Sequence, residues 1–591
     1  MFDFKISKSF RMQKTYSLLQ KIMACFSMLL LSSCIKISEN SKHNKKENIA
    51  AFDWFRYEGN DAIYKTLSAD KEKYLNPILA GFYPDPGICR VHDKFYLVNS
   101  SFSYFPGLPI FESTDMVNWK QIGHVIDRPE QLDLKLAVSK GLYAPTIRYN
   151  KRFFYVVCTN VDAGGNFLVT AKNPAGPWSN PIWLPEIEGI DPDIYFDDDG
   201  KVYITHNGPP PNNISVHEGH RAIYMMEFDL EKSKTVGESK LVVNGGTDMS
   251  QEPVWIEGPH IIKKDGFYYM ICAQGGTEYN HSEVVFRSEH IFGPYSSFPN
   301  NPILTQKHLD KTRANPVTTT GHADFVELSN GDWWSVFLGC RPYGDDLYNT
   351  GRETFMLPVK WKDGWPEIVG GKEPIPFQFK KPNLCSSKEN ISPMNGNFIW
   401  QDDFNSDKLD FKWNFIRTPS EKWYSLEKGK LLIKARKETI QTETNFSFIG
   451  RRQQHLNFDV STKVDFKLQN QSQTSGLLAF QNEKSYFLLG NRLNDSGKQK
   501  VFVERVSKIL NNEKREIVAE TDLQENSDSV LYRIEGNAGL FNFYFKENEN
   551  DSWILLLKNS DATILSTKLA GGFVGTYLGM YTSGNHFSTK E

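Results

Sequence analysis

Three carboxylates occupy the same place in repeated strand–turn–strand units: Asp85 in FYPDPGICR, Asp191 in GIDPDIYFDDDG and Glu257 in WIEGPHIIKKDG. Each opens an apolar strand and lies eleven or twelve residues ahead of an aromatic in the next strand, Tyr96, Tyr203 or Tyr268. Two further units keep the frame without the acid, running from Ala144 to Tyr155 and from His322 to Trp333. Taken singly, each acid reads as a turn or loop residue, because Asp-Pro and Gly-Pro punctuate turns by themselves. Turn chemistry does not explain a shared address. Three acids drawn around one small cavity equip a protein for glycoside hydrolysis, in which a carboxylic acid protonates the leaving oxygen and a carboxylate activates water. In that scheme Asp85 is the general base and Glu257 the general acid. Asp191 raises the pKa of Glu257 by like-charge repulsion and orients it. Acids carried on different repeats leave room for a water between them. The separation of about 6.5–9.5 Å that results goes with inversion of anomeric configuration.

The elements that must position these acids are short strands. One strand type recurs as DKFYLVNSS, KRFFYVVCT, GKVYITHNG, GFYYMICAQ and GDWWSVFLG, with outer hairpins such as IFESTDMVNWKQIG and TFMLPVKWKDGWPEI between copies. Five such units over 76–370 predict a five-bladed β-propeller, whose innermost strands line a central axis. Asp85, Tyr143/Ala144, Asp191, Glu257 and His322 then converge on one face of the channel. Residues 371–396 are rich in Pro, Lys, Ser and Asn and read as a linker. Alternating runs such as FDVSTKVDFKL, SYFLLGNR and LFNFYFKE over 397–591 predict a C-terminal β-sandwich of jelly-roll type. The fold class is therefore all-β. Asp197-Asp198-Asp199-Gly200 reads as a hairpin turn, since it lacks the ligands of a calcium loop.

At 591 residues the chain is long enough for several domains, and 39% hydrophobic with 24% charged residues is ordinary for a globular protein. The 13% aromatic content suits β-rich folds, and a net charge of −3 argues against nucleic acid or an anionic membrane surface as partner. Lys5, Lys8, Arg11, Lys14 and Lys21 precede an apolar run from Ile22 to Leu31, and Leu31-Ser32-Ser33-Cys34 reads as a bacterial lipobox. Residues 1–34 are thus expected to be a lipoprotein signal with Cys34 lipidated. The product would be an exported protein facing the periplasm or the cell surface, held to the membrane by its lipid alone. Residues 35–75 are expected to be a tether and an extension that packs across the first domain. Cys89, Cys158, Cys272, Cys340 and Cys385 show no metal-ligand spacing and read as buried free thiols.

NPILAGFYPDPGICRVHDKFYLVNSSFSYFPG, GLYAPTIRY, GIDPDIYFDDDGK, IEGPHIIKKDGFYYMICAQGGTEYNH, GHADFVELSNGDWW and TGRETFMLPVKW together resemble glycoside hydrolase family 43, in particular its two-domain β-xylosidases and α-L-arabinofuranosidases. FIGRRQQHLNFDVSTKVDF and its surroundings resemble that group's C-terminal sandwich. The resemblance implies an inverting mechanism with the same three acids in the same roles, and no required cofactor. It implies an aromatic wall for the terminal sugar at Phe102, a nearby turn at Thr277, a sugar-binding arginine at Arg352, and at His322 a histidine near the propeller centre that helps hold a structural calcium ion or water cluster in some members. Tyr143 replaces a tryptophan common among relatives, keeping a stacking face of smaller area. Gly87 and Asp193 stand where a serine is common, and both are expected to retune substrate choice. The proline-stiffened HNGPPPNN stretch (206–213) is expected at the pocket rim.

The leading reading is an exo-acting hydrolase that removes xylose or arabinofuranose from fragments of xylan, arabinoxylan or arabinan. An endo-arabinanase would need an open groove. A sialidase-type propeller is disfavoured because Ser113–Trp119 lacks the glycine of an Asp-box turn and no arginine triad is apparent. A sugar-binding lipoprotein without activity is disfavoured by the presence of all three acids. Oligomeric state and the choice between the two pentoses stay open at this level.

Overall fold

The computed structural model describes residues 48–385, 391–524 and 528–587. The signal region with Cys34 lies outside the described residues. Five antiparallel sheets follow one another from residue 87 to residue 368, and four of them have exactly the four strands of a propeller blade. Their innermost strands are Gly87–Val91, Gly141–Asn150, Ile190–Phe196, Glu257–Lys264 and Thr318–Glu327. Blade four carries Leu304–Thr305 as an extra edge pairing on Ser282–Ser288. Neighbouring blades share apolar cores. Ile271, Val285, Phe337 and Phe355 pack between blades four and five, and Leu97, Phe111, Trp334 and Met356 between blades five and one.

The repeated address has a conformational counterpart. Asp85, Ala144, Asp191, Gly258 and His322 all have positive φ, between 35° and 57°. A proline follows in the first four blades. The ladder with the second strand is irregular at this point in blades two to five. Non-glycine residues held there cost about 1–3 kcal/mol each, and such strain gathers at functional sites. The kink turns the residue at the address toward the cavity, while the strand beyond it resumes its pairing. In blade four the glycine takes the kink, so Glu257 stands one residue before the conformational address.

The C-terminal sandwich packs an eight-stranded sheet on a six-stranded one. Two sequence-based expectations are corrected here. Ile49–Gly59 does not pack across the propeller as an extension. It is an internal strand of the sandwich, paired antiparallel with Lys430–Lys434 on one side and Asn457–Asp465 on the other. Its alternation buries Ala50, Phe52, Phe55 and Tyr57, the period-two pattern of a half-buried strand. The 371–396 stretch is no loose linker in its described parts: Gln378–Lys380 pairs with Lys73–Leu75, and Ile375 and Met394 are buried. Cys385 is exposed, whereas Cys89, Cys158, Cys272 and Cys340 are buried free thiols.

Propeller and sandwich are joined by polar as well as apolar contacts. Phe415–Ile416 pairs with Tyr104–Phe105, and the rings of Tyr104 and Tyr577 stack at 3.7 Å. Arg341 reaches Asp61 at 2.7 Å, both Glu353 oxygens at 2.6 and 2.9 Å, and the Gln454 carbonyl at 2.9 Å. The cluster that backs Phe102 and Tyr104 continues into Phe446, Phe448 and Tyr577 of the sandwich.

Candidate active site

Asp85, Asp191 and Glu257 line one cavity of about 470 Å³ together with Phe102, Tyr143, Thr277, Arg352 and His322. The three acids are 5–6% exposed. Each is held differently, and the differences set their charge.

Asp85 is gripped at both oxygens. Arg352 Nη1 donates to Oδ1 at 2.7 Å, and the Ser100 hydroxyl donates to Oδ2 at 2.6 Å. Ser100 is fixed in turn by the Ala144 amide of blade two, at 2.6 Å. Burial pushes the Asp85 pKa up, but the Arg352 charge and the Ser100 hydrogen bond outweigh it and leave it below the ordinary aspartate value. Asp85 is an anion at neutral pH.

Glu257 has the opposite setting. Burial first, then the charge of Asp85, raises its pKa to about 7. The indole Nε1 of Trp255 donates to Oε2 at 2.6 Å and works against that rise. Trp255 is itself covered by the Arg221 guanidinium, 4.8 Å from its ring centre, and Arg221 is oriented by Asn207 Oδ1 at 2.8 Å.

Asp191 feels the charge of both. Its backbone is pinned by a chain of hydrogen bonds: the Asp191 amide donates to Thr159 Oγ1 at 3.1 Å, and the Thr159 hydroxyl donates to Asn166 Oδ1 at 2.7 Å. Its Oδ2 accepts the Gly258 amide at 3.2 Å, so the acid of blade three touches the residue after Glu257. Burial, then Glu257 and Asp85, raise its pKa well above the usual range. Asp191 and Glu257 titrate as a pair, with apparent constants that belong to both. The like charge of Asp85 and the low-dielectric site keep a proton on that pair at neutral pH.

The apolar wall comes from two domains. Phe102 and Tyr143 meet at 4.6 Å between ring centres, and Arg352 lies 5.8 Å over Phe102. Phe573 reaches in from the sandwich, 6.2 Å from Phe102 and 6.1 Å from Tyr143, its amide donating to Ser139 Oγ at 2.9 Å. Trp255 and Phe573 are site residues that the sequence reading missed. Trp255 carried a signal, standing two residues before Glu257. Phe573 had only the Gly571-Gly572 pair before it.

Three expectations about the surroundings are corrected. None of residues 206–213 lines the cavity; Pro209, Pro210, Asn212 and Asn213 bound a separate cavity of about 300 Å³ with Glu186, Glu188 and Tyr224. Asn207 still acts on the site through Arg221. Gly87 and Asp193 do not line the cavity either. A Cβ on Gly87 would lie 2.6 Å from the Pro145 carbonyl, so glycine there lets blades one and two approach, and Asp193 faces the axis, where it meets Arg148 at 3.1 Å.

His322 lines the cavity with a neutral ring: burial lowers its pKa to about 4. The residues around it do not fit a calcium ion held by protein oxygens. Calcium takes six to eight oxygen ligands. The inner-strand carboxylates Asp193 and Asp324 are already occupied by Arg148. Among the described residues no group of three or more His, Cys, Asp or Glu side chains is placed to hold a metal.

Comparison with known proteins agrees with this arrangement. Residues 74–366 match the family model for glycosyl hydrolases family 43, and residues 401–591 match the β-xylosidase C-terminal concanavalin A-like domain. The chain is 39% identical to a xylosidase/arabinosidase of Butyrivibrio fibrisolvens, over 86% of this chain and 96% of that protein. It is 36% identical to a non-reducing end α-L-arabinofuranosidase of Bacteroides ovatus, over 88% and 93%. A solved GH43_12 structure from a capybara gut metagenome superposes with a TM-score of 0.85 at 40% identity, covering 91% of this chain and all of that one.

Proposed function

Because the chain belongs to glycosyl hydrolases family 43, we propose that it is an inverting exo-glycosidase releasing terminal β-D-xylose, α-L-arabinofuranose or both from hemicellulose oligosaccharides. One observation carries the reading: a single cavity holds an ionised Asp85, gripped by Arg352 and Ser100, opposite a Glu257–Asp191 pair that keeps a proton. Asp85 takes a proton from water as the water attacks the anomeric carbon. Glu257 delivers its proton to the departing oxygen, and Asp191 holds the Gly258 amide next to Glu257 and keeps the pair protonated. Acids and water suffice, and no cofactor is needed. Phe102 and Tyr143 offer faces to the sugar ring, and Arg352 and Thr277 offer polar contacts. Phe573 narrows the cavity from the sandwich side, which favours exo action over an endo-arabinanase groove.

Aryl β-D-xyloside and α-L-arabinofuranoside substrates, followed by NMR of the first-formed anomer, test the reading. Release of the inverted anomer from at least one is expected. A retained anomer overturns the mechanism, and inactivity on both overturns the class. Wild-type turnover that survives Glu257→Gln on poor leaving groups would remove Glu257 from the acid role.

The basic residues ahead of Ile22–Leu31, and Leu31-Ser32-Ser33-Cys34, support export and anchoring through a lipid on Cys34. Fatty-acid labelling that is lost in Cys34→Ala would bear this out, and unlabelled wild type would refute it.

A further inference from the structure

We propose that the guanidinium of Arg148 is the axial cation of this propeller and positions the acids above it, in the place where the family resemblance allowed a calcium ion or a water cluster. Arg148 stands on the inner strand of blade two, and its contacts reach the inner strands of all the others. Nη1 donates to Asp324 Oδ2 at 2.7 Å and to the Ile88 carbonyl at 3.2 Å. Nη2 donates to Asp193 Oδ2 at 3.1 Å, to Asp324 Oδ1 at 3.2 Å and to His260 Nδ1 at 3.3 Å. Asp324 Oδ2 also accepts the Ile88 amide at 2.9 Å. Blade one is thereby bound twice, through the carbonyl and the amide of one residue.

The partners are spaced so that the cluster governs the cavity. Asp193, His260 and Asp324 follow Asp191, Glu257 and His322 by two or three residues on the same strands, and Ile88 follows Asp85, which stands just ahead of its strand, by three. At about 3.3 Å per residue, each lies within roughly 10 Å along the strand of a cavity residue. The kinked residues between have positive φ and are not held by regular pairing, so their setting depends on what anchors the strand beyond.

A planar guanidinium suits this task better than an ammonium, because its fork engages both oxygens of Asp324 while a second edge reaches Asp193. Burial opposes the charges, yet Asp193 and Asp324 hold the Arg148 pKa above its ordinary value, and Arg148 holds that of Asp324 below its own. Asp193 Oδ1 and His260 Nε2 are buried without a protein partner. Removing Arg148 would leave two nearly fully buried carboxylates facing each other across the axis, with few donors left.

Arg148→Met and Arg148→Lys, assayed on aryl pentosides beside thermal unfolding of the same samples, test the inference, which rests on the glycosidase reading. The Met variant should fold with a lowered Tm and lose about 10²-fold in kcat with KM little changed, the signature of misplaced reacting groups. Sub-denaturing guanidinium should restore part of kcat, and Lys should recover part of it, while wild-type activity withstands a chelator. A folded Met variant with wild-type kcat overturns the proposal, as does a wild type that chelation inactivates and calcium restores. If the Met variant does not fold, Asp193→Asn is read instead: a fall in kcat at unchanged KM supports the role, and unchanged kcat overturns it. A wild type inactive on all pentosides overturns both the inference and the reading beneath it.

Discussion

Trp255 donates its indole proton to Glu257 Oε2 across 2.6 Å from only two residues upstream. The contact requires a left-handed backbone at Trp255, with φ of 52°, and the ring is held from its face by Arg221. It leaves Oε1 as the Glu257 oxygen free to carry the proton toward a leaving group. It also stabilises the carboxylate form of an acid that burial would otherwise push higher.

Trp255→Phe therefore raises the Glu257 pKa. In the proposed mechanism activity needs the proton on Glu257 and is lost as pH rises through the Glu257 pKa, about 7. The basic limb of the kcat/KM profile should move upward by about one unit, corresponding to ~1.4 kcal/mol. A limb that stays in place or moves down would refute the hydrogen bond's role.

Arg352→Gln acts on the other limb. As the proposed base Asp85 must be ionised, and its pKa lies below the ordinary value because Arg352 and Ser100 outweigh burial. Activity is present above that pKa and lost as pH falls through it. Without the guanidinium the acidic limb should shift upward by a unit or more, about 1.4 kcal/mol per unit, together with a fall in kcat/KM. An unshifted acidic limb would separate Asp85 from that titration.

Phe573→Ala opens the cavity from the sandwich side. Full burial of a phenylalanine is worth roughly 1.5–3 kcal/mol, and Phe573 is 38% exposed before any substrate arrives. KM should rise about tenfold, equivalent to ~1.4 kcal/mol, by a similar factor for short pentosides and longer chains, since each seats its terminal sugar in the same cavity. An effect confined to particular chain lengths would argue against a wall at the terminal sugar.

Arg341→Met removes the cation shared by Asp61, Glu353 and the Gln454 carbonyl. Two buried carboxylates would then lack their partner, a loss of about 3–5 kcal/mol. Differential scanning calorimetry should show a lower Tm. A change within error would mean that the carboxylates find other donors or take up protons.

The relation between repeat and site was legible because propeller blades reuse one backbone solution. Asp85, Asp191 and His322 share a kink whose sequence trace is a fixed distance to the next aromatic strand. Glu257 followed the count but not the kink, since Gly258 adopts the positive φ in its place. Trp255 was visible in the WIEGPH motif, yet its role depends on a turn that brings the indole back over its own strand. Asp193 read as a substrate-side change because it neighbours Asp191, whereas strand alternation and the kink direct it to the axis. Ile49–Gly59 has a strand pattern, but nothing local assigns a strand to a sheet whose other members begin about 350 residues later.

By itself the sequence determined the all-β class, the five repeats and which three acids share the repeated address, since these rest on periodicity and on spacing within one blade. Tertiary structure decided everything that depends on residues far apart in the chain. The charge of Asp85 is set by Arg352 from blade five, the Glu257–Asp191 pair is made by a contact between blades three and four, and the cavity is narrowed by Phe573 from the sandwich. A pKa follows from the charges and solvent around a group, and a wall follows from what packs there. Both are sums over neighbours in space, which local patterns do not encode.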